Sequence, residues 1–380
     1  MKINILGGGP AGLYTAYLLK RSSPSALVNV YEQNDASTTF GFGVVFSDEA
    51  LEFLRANDEE TLEAITQGLE KWRDIEIRIH GERIVIDGVG FTAIARLRLL
   101  DILRERALAV GVHLHHQCVV KDIKEIDDAD LVIGADGVNS LVRQACEQDF
   151  GSSIEYLNNH FAWFGATRAF PRLTQTFKAA PDGFFNAHHY RYTPDMSTFL
   201  VEVDPATFER AGLGRMSEED SRRYCESVFA EELDGASLVV NKSMWRRFPK
   251  ISNRKWSVGK YVIIGDALRT AHFSIGSGTR LALEDAQALM QAIAEHPQDV
   301  PEALVRFEAA RRPVVEKIVA GANRSADWYE AFAQHMQLPA WEFARNYIGR
   351  SGRIAPERLK ANSPGFSSQY EAWRASSALS

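Results

Sequence analysis

The stretch INILGGGPAGLYTAYLLKR, residues 3–21, followed by LVNVYE at residues 27–32, decides the fold. Ile3 to Leu6 reads as a short buried strand, Leu13 to Lys20 as a helix with an apolar face, and Leu27 to Glu32 as a second strand. Strand, glycine turn, helix and strand make a βαβ unit. Pro10 falls in the first helical turn, where a missing N–H costs nothing, so the helix start is written in the sequence. Gly7, Gly9 and Gly12, with Pro10 and Ala11 between the last two, form G-x-G-x-x-G. Its glycines allow a sharp turn, close backbone approach to a pyrophosphate, and tight packing of helix on strand. Free N–H groups and the helix dipole favour an anion at that point. Glu32 follows the last glycine by about twenty positions, where a carboxylate can accept from a ribose hydroxyl. A dinucleotide site is expected, although a glycine turn without ligand has the same spelling.

This motif does not separate NAD from FAD; two later segments bear on the choice. GADG at Gly134 to Gly137 and GDA at Gly265 to Ala267 each follow an apolar run and place Asp136 and Asp266 at the C-terminal end of a strand. Ligands of open α/β sheets bind at that edge, and a carboxylate there can accept from a sugar-chain hydroxyl. The plainer alternative for either aspartate is a helix cap or turn. Between the motifs, Leu97 to Val110 reads as a helix stopped by Gly111, with a strand-like VHLHHQCVV after it. From Trp163 to Val203 the texture changes to short aromatic and β-branched runs broken by prolines and glycine, as in an antiparallel sheet. The α/β texture returns at Tyr261. From Leu281 to about Arg350 the pattern is helical, with a polar tail after it. We therefore expect an α/β protein with a discontinuous Rossmann-like FAD-binding domain (1–75, 90–155 and 258–330), an inserted, mainly antiparallel β-sheet substrate domain (76–89 and 156–257) and a C-terminal helical extension (331–380).

Bulk properties agree and exclude other classes. At 380 residues with 45% hydrophobic and 24% charged content, the chain is long enough for two cores. A net charge of −7 with interleaved signs argues against nucleic acid as a partner. Cys118, Cys146 and Cys225 form neither a disulfide framework nor a zinc knuckle, and no H-E-x-x-H occurs, so no metal site is expected. Met1-Lys2 runs straight into the first strand and no eighteen apolar residues are consecutive; a soluble, cytoplasmic protein without membrane contact is expected, as monomer or homodimer.

With GGGPAG, GADGVNSLVR and YVIIGDALRTAHFSIGSGTRLALEDA in place, the chain resembles the single-component flavin aromatic hydroxylases of the p-hydroxybenzoate hydroxylase type over nearly its whole length. The resemblance implies FAD as cofactor, with Asp266 on the ribityl chain and Asp136 in the other motif. It also implies that Arg96, opening a helix, reaches the flavin, and that the loop Ser274, Ile275, Gly276, Ser277, Gly278, Thr279 lies against the flavin ring. Phe273 and Ser274 stand where the broader family has prolines, but the glycines should still let backbone N–H groups meet the ring edge. A closer resemblance, carried by TFGFGVVFSDEAL (39–51), MSTFLVEV (196–203) and AHFSIGSGT (271–279), is to the monooxygenase part of salicylyl-CoA 5-hydroxylases and 2-aminobenzoyl-CoA monooxygenases, with a violacein-pathway hydroxylase further off. Many of these carry a flavin-reductase-like domain after the hydroxylase; this sequence ends before one, which leads us to expect a product that stays aromatic.

The resemblance supplies a chemistry. NADH or NADPH, visiting without a nucleotide domain of its own, reduces the flavin; O₂ adds at flavin C4a, and the hydroperoxide transfers one oxygen to an electron-rich ring. His188, in NAHHYRY, is expected to bind or deprotonate the substrate, and His272 to line the active site, each with a structural imidazole as the plain alternative. Trp163, Phe184 and Tyr190 are expected to line an aromatic pocket, and Arg168, Arg172, Arg246, Arg247, Lys250 and Arg254 to offer cations to the phosphates of a CoA thioester. Other readings stay open: a tryptophan or indole hydroxylase of secondary metabolism, an NAD-linked dehydrogenase, a flavin reductase that uses no O₂, and a flavin-binding sensor.

Overall fold

The runs Ile3 to Leu6, Val28 to Val30 and Leu131 to Gly134 are apolar almost without alternation because their strands are covered on both faces, as parallel strands usually are. In the computed structural model, which describes residues 1–39, 41–47, 50–352 and 355–377, they form the middle of a six-stranded sheet. Its strand order is Ser257–Val258, Tyr261–Ile263, Leu131–Gly134, Lys2–Leu6, Leu27–Tyr31, His113–His115. Phe40, Asp48 and Glu49 of the TFGFGVVFSDEAL stretch, and residues 353, 354 and 378–380 of the C-terminal extension, lie outside the described residues. Ile3 pairs in parallel with Val28 on one side and Leu131 on the other, so the chain leaves Lys2–Leu6 in both directions and opens a crevice at the ends of these strands. Helices Pro10–Ser22 and Gly278–Glu295 cover the sheet, with Leu13, Tyr14, Leu281 and Leu283 in its core. The expected strand after Gly111 is shorter than its apolar spelling: only His113–His115 pairs, because Gln117 turns the chain with φ of 55°.

The aromatic middle of the sequence forms a second, mainly antiparallel sheet. Its order is Leu238–Val239, Ser152–Ala166, Ser197–Val203, Gly183–Arg191, Leu173–Ala180, Ile75–Ile79, Glu82–Ile86, and Arg246–Asn253 also pairs with Ser152–Ala166. Leu173–Ala180 and Ile75–Ile79 are the parallel exception. One face buries Phe164, Phe185, Phe199 and Val201 against Phe229 and Leu233. The other packs Ile75, Ile77 and Phe177 under Trp328, Tyr329, Phe343 and Tyr347 from the helices Val300–Glu330 and Ala340–Gly349. A small sheet, Gly43–Ser47, Phe91–Ala95 and Glu70–Trp72, joins the two large ones: Tyr190 Oη donates to the Gly43 carbonyl at 3.0 Å, and Gly43 N–H donates to Thr198 Oγ1 at 3.0 Å.

The polar tail after Arg350 is folded. Helix Pro364–Ser377 lies against Glu82–Ile86 with helix Pro356–Asn362 packed on it, and the Asp87 carboxylate accepts from the N–H groups of Gly365 (3.0 Å) and Phe366 (2.7 Å). Phe366 is buried and stacks on Trp341 at 5.9 Å. The signals were local but sparse: a proline at a helix start and aromatic residues at helical spacing among polar ones.

Candidate active site

The three glycine-bearing motifs meet at the crevice. Gly7 has φ of 105°, and a Cβ there would sit 2.3 Å from the Ala135 carbonyl oxygen; one on Gly12 would sit 1.9 Å from the Gly7 oxygen. These two glycines therefore hold the turn against GADG. Gly9 differs, since a Cβ on it would meet nothing within 4 Å, and it faces the open crevice. Gly265 lies against Ala11 and Ala282, which wedges GDA between the two covering helices. Arg143, buried, donates to the Ala267 carbonyl at 2.8 Å and so ties the second motif to the third. Its position inside GADGVNSLVR gave no hint of that role.

Glu32 is fixed at the crevice edge. Its Oε2 accepts from Gly8 N–H at 2.8 Å, and Oε1 from the Asn34 backbone (2.8 Å) and side-chain (2.7 Å) N–H groups, leaving lone pairs for a ribose hydroxyl. Asp136 serves its own turn: Oδ2 accepts from Leu141 N–H at 2.6 Å, the helix-start alternative, while the buried Oδ1 has no partner among the described residues. Asp266 is exposed to the crevice yet ringed closely enough by protein that burial pushes its carboxyl up, opposed by the cations of Arg96 and Arg269. Arg96 opens the helix Arg96–Ala109, and its Nε lies buried with no partner among the described residues. Burial lowers the guanidinium, while Asp266 and Tyr190 raise it. Room at Gly9 and Gly278, the orphaned Asp136 Oδ1 and Arg96 Nε, and free N–H groups at two helix starts suit an extended dinucleotide with a diphosphate. In the surface groove at the far end of helix Pro10–Ser22, two of the three lining arginines, Arg21 and Arg106, are already bound to Asp58.

The loop 271–279 is divided in its use. Ile275 and Gly276 N–H groups turn inward to the His272 (3.4 Å) and Phe273 (3.0 Å) carbonyls, whereas Gly278 and Thr279, in the first turn of their helix, have no acceptor within it. Ser274 is an anchor. Its Oγ contacts His272 Nδ1 (2.8 Å) and Ser325 Oγ (2.7 Å), and its carbonyl accepts from Arg350 Nη2 (2.9 Å). Arg350 also donates to Ser325 Oγ at 3.0 Å and lies 3.8 Å over the Tyr347 ring. No sequence signal pointed to Arg350. Burial, then the Arg350 cation, pushes His272 down to about 3, so it is neutral at physiological pH.

The pleat splits the pair His188-His189. His189 faces the Phe170 and Phe199 side, stacked on Phe199 at 5.1 Å and bonded to Thr176. His188 faces the loop 271–279: its ring meets Phe273 at 5.4 Å and Tyr329 at 5.1 Å, and His272 meets Phe248 at 4.9 Å. Burial first, then His272 and Arg350, holds His188 well below its ordinary range. The expected aromatic trio is not what surrounds it. Tyr190 is spent on Gly43, and Phe184 packs with the C-terminal helices; Trp163 alone shares the His188 row, two strands across. The rings beside the histidines are Phe161, Phe248, Phe273 and Tyr329, brought in by strands and helices far apart in sequence. Among the described residues no cluster of three potential metal ligands occurs, and no helix is long and apolar enough to cross a membrane.

Comparison with known proteins agrees with this geometry. The FAD binding domain family matches residues 117–322. The chain is 42% identical to a salicyloyl-CoA 5-hydroxylase of Streptomyces sp, over 98% of this chain and 74% of that protein. It is 36% identical to a 3-hydroxy-4-methyl-anthranilyl-[aryl-carrier protein] 5-monooxygenase of Streptosporangium sibiricum, over 96% and 98%. The crystal structure of 2-methyl-3-hydroxypyridine-5-carboxylic acid oxygenase superposes with a TM-score of 0.69 at 19% identity, covering 95% of this chain and 96% of that one, and shares the fold. A crevice built for a dinucleotide, a family match over half the chain and relatives above 30% identity along nearly all of it place this chain among the FAD-dependent aromatic monooxygenases.

Proposed function

We propose that the enzyme hydroxylates the ring of an ortho-hydroxy- or ortho-aminobenzoyl thioester, salicyloyl-CoA first, at position 5. The observation that carries this reading is the buried group of rings around His188 and His272, set beside the loop that continues into the dinucleotide crevice. Both relatives are named for position 5 of an aryl group held on a carrier. In this reading residues 1–75, 90–155 and 258–330 hold FAD, residues 76–89 and 156–257 supply the substrate floor, and residues 331–380 brace it. Gly7, Gly9, Pro10, Ala11 and Gly12 pass the backbone under the diphosphate, Glu32 takes the ribose, and Asp266 with Arg96 takes the ribityl side. Gly278 and Thr279 offer N–H groups to the ring edge. FAD, reduced by NADH or NADPH, supplies the electrophilic oxygen transfer, and the chain's work is to hold the substrate ring in reach and keep water out.

Electrophilic attack favours carbons ortho or para to the donating group, and of positions 3 and 5 the first adjoins the donor and is crowded. The cations available to a carrier divide by their partners. Arg168 pairs with Asp234 (3.2 Å), Arg172 with Glu76 (3.6 Å), and Arg247 donates to the Leu157 carbonyl (2.6 Å). Arg246 and Lys250 stand two residues either side of Phe248 on one strand and make no ion pair among the described residues, so they suit carrier phosphates at the pocket mouth. The test is turnover of salicyloyl-CoA under labelled O₂, followed by mass spectrometry and NMR. One labelled oxygen at position 5 is expected; an unlabelled or 3-hydroxy product overturns the assignment. Free salicylate turned over as well as its thioester removes the carrier, and a substrate tethered to an aryl-carrier protein outcompeting the CoA ester favours the protein-borne arm.

A further inference from the structure

The residues behind His188 form a hydrogen-bonded file with a direction. Tyr329 Oη donates to Gln175 Oε1 at 3.0 Å, and Gln175 Nε2 stands 3.0 Å from His188 Nδ1. Tyr347 Oη lies beyond Tyr329 at 3.4 Å. A carboxamide oxygen only accepts and its nitrogen only donates, and a phenol has one proton to give. The Tyr329 proton goes to the nearer acceptor, the amide oxygen, since a 3.4 Å contact is long for O–H···O. The amide NH₂ must then face Nδ1, which meets it as a lone pair. The imidazole proton is left on Nε2, and Nε2 is buried with no partner among the described residues.

We propose that Gln175, oriented by Tyr329, is a positioning residue that sets His188 in its Nε2–H tautomer, so that the imidazole meets the substrate as a hydrogen-bond donor and not as a base. This rests on the substrate reading above and narrows it. A hydrogen bond donated to the ring's own hydroxyl or amino group would draw electron density from the ring and slow electrophilic attack. The thioester carbonyl only accepts, is common to ortho-hydroxy and ortho-amino substrates, and when hydrogen-bonded draws density chiefly from the carbons ortho and para to it, so that position 5, meta to it, is the least affected. His188 therefore grips the acyl carbonyl and leaves the ortho group free. Arg350 and His272, facing His188 from the C-terminal helix and the loop, together with His189 behind it, disfavour a second proton on the ring; the acidic groups on the other side of the file, the Tyr347 phenol and the buried Glu202 carboxyl, act on Tyr329.

The test uses the FAD-loaded enzyme. Nitrogen NMR of histidine-labelled protein, with His188 identified by the resonance lost in His188→Asn, is expected to show a protonated Nε2 and bare Nδ1 from pH 6 to 8.5; a protonated Nδ1 overturns the proposal. In Gln175→Glu the carboxylate accepts a hydrogen bond from Nδ1–H, so the neutral imidazole carries its proton on Nδ1 and Nε2 becomes an acceptor. Salicyloyl-CoA binding, read from flavin absorbance, should then weaken roughly tenfold at high pH and recover on acidification as the imidazolium regains Nε2–H, while wild-type binding stays flat. FAD loading should not change. A Gln175→Glu profile as flat and as tight as wild type also overturns the proposal. If wild-type enzyme does not bind salicyloyl-CoA at all, the substrate reading fails, and the tautomer measurement still decides the role of Gln175.

Discussion

Asp266 and Arg96 depend on one another across the crevice: each is desolvated, and each favours the other's charged form against that desolvation. Asp266→Ala removes an acceptor to the cofactor and leaves Arg96 uncompensated. Because a hydrogen bond to a charged group contributes about 1.5–3 kcal/mol, FAD affinity should fall by at least tenfold, read by flavin absorbance after dialysis. A fully yellow variant would count against the assignment. The glycines separate by the same reasoning. Gly9 meets nothing, so Gly9→Val should fold and melt like the apoprotein but load no flavin; Gly12 lies against the Gly7 carbonyl, so Gly12→Val should fail to fold. A Gly9→Val protein that loads FAD would show that the diphosphate lies elsewhere.

At the scale of elements, the C-terminal helices complete the site. Arg350, at the end of Ala340–Gly349, holds the Ser274 carbonyl and the Ser325 hydroxyl and lies over Tyr347, so the tail clamps the loop 271–279 from behind. Arg350→Ala should speed hydrogen exchange at Ser274 and Ile275, weaken FAD binding, and raise the His272 pKa, since the cation that helps depress it is gone. Unchanged exchange in that loop would show that the clamp is incidental. The helical pattern to about Arg350 could be read from spacing, but not that it ends against the loop. That contact joins residues 76 positions apart and leaves no periodic trace.

For the whole molecule, buried titratable groups set the pH of greatest stability. His188, His189 and His272 have depressed folded pKa values, so below about 6.5 the unfolded chain binds more protons and stability is lost on acidification. Glu202, pushed up to about 8 by burial, works the other way: between its unfolded value of 4.5 and about 8 the folded state keeps a proton the unfolded chain gives up, and stability falls as pH rises. Asp136 and Asp266, whose carboxyls desolvation also pushes up, oppose the histidines at the acid end. Urea unfolding of the apoprotein should therefore show a maximum near neutrality. Glu202→Gln, which can still accept from Asn159, should remove the alkaline decline, worth up to about 1.4 kcal/mol per pH unit. A wild-type midpoint that holds steady from pH 6.5 to 8 would contradict this. Local sequence determined the βαβ opening, the three motifs and the change of texture to an antiparallel sheet, because turn geometry, helix starts and apolar periodicity act over a few residues. It also singled out His188 and His272, though not what they do. Which aspartate is spent on its own turn, which rings surround the histidines, and that Gln175, Tyr329 and Arg350 stand behind them were decided only by tertiary structure: tautomer, charge state and clamp each depend on atoms that folding brings together from distant parts of the chain.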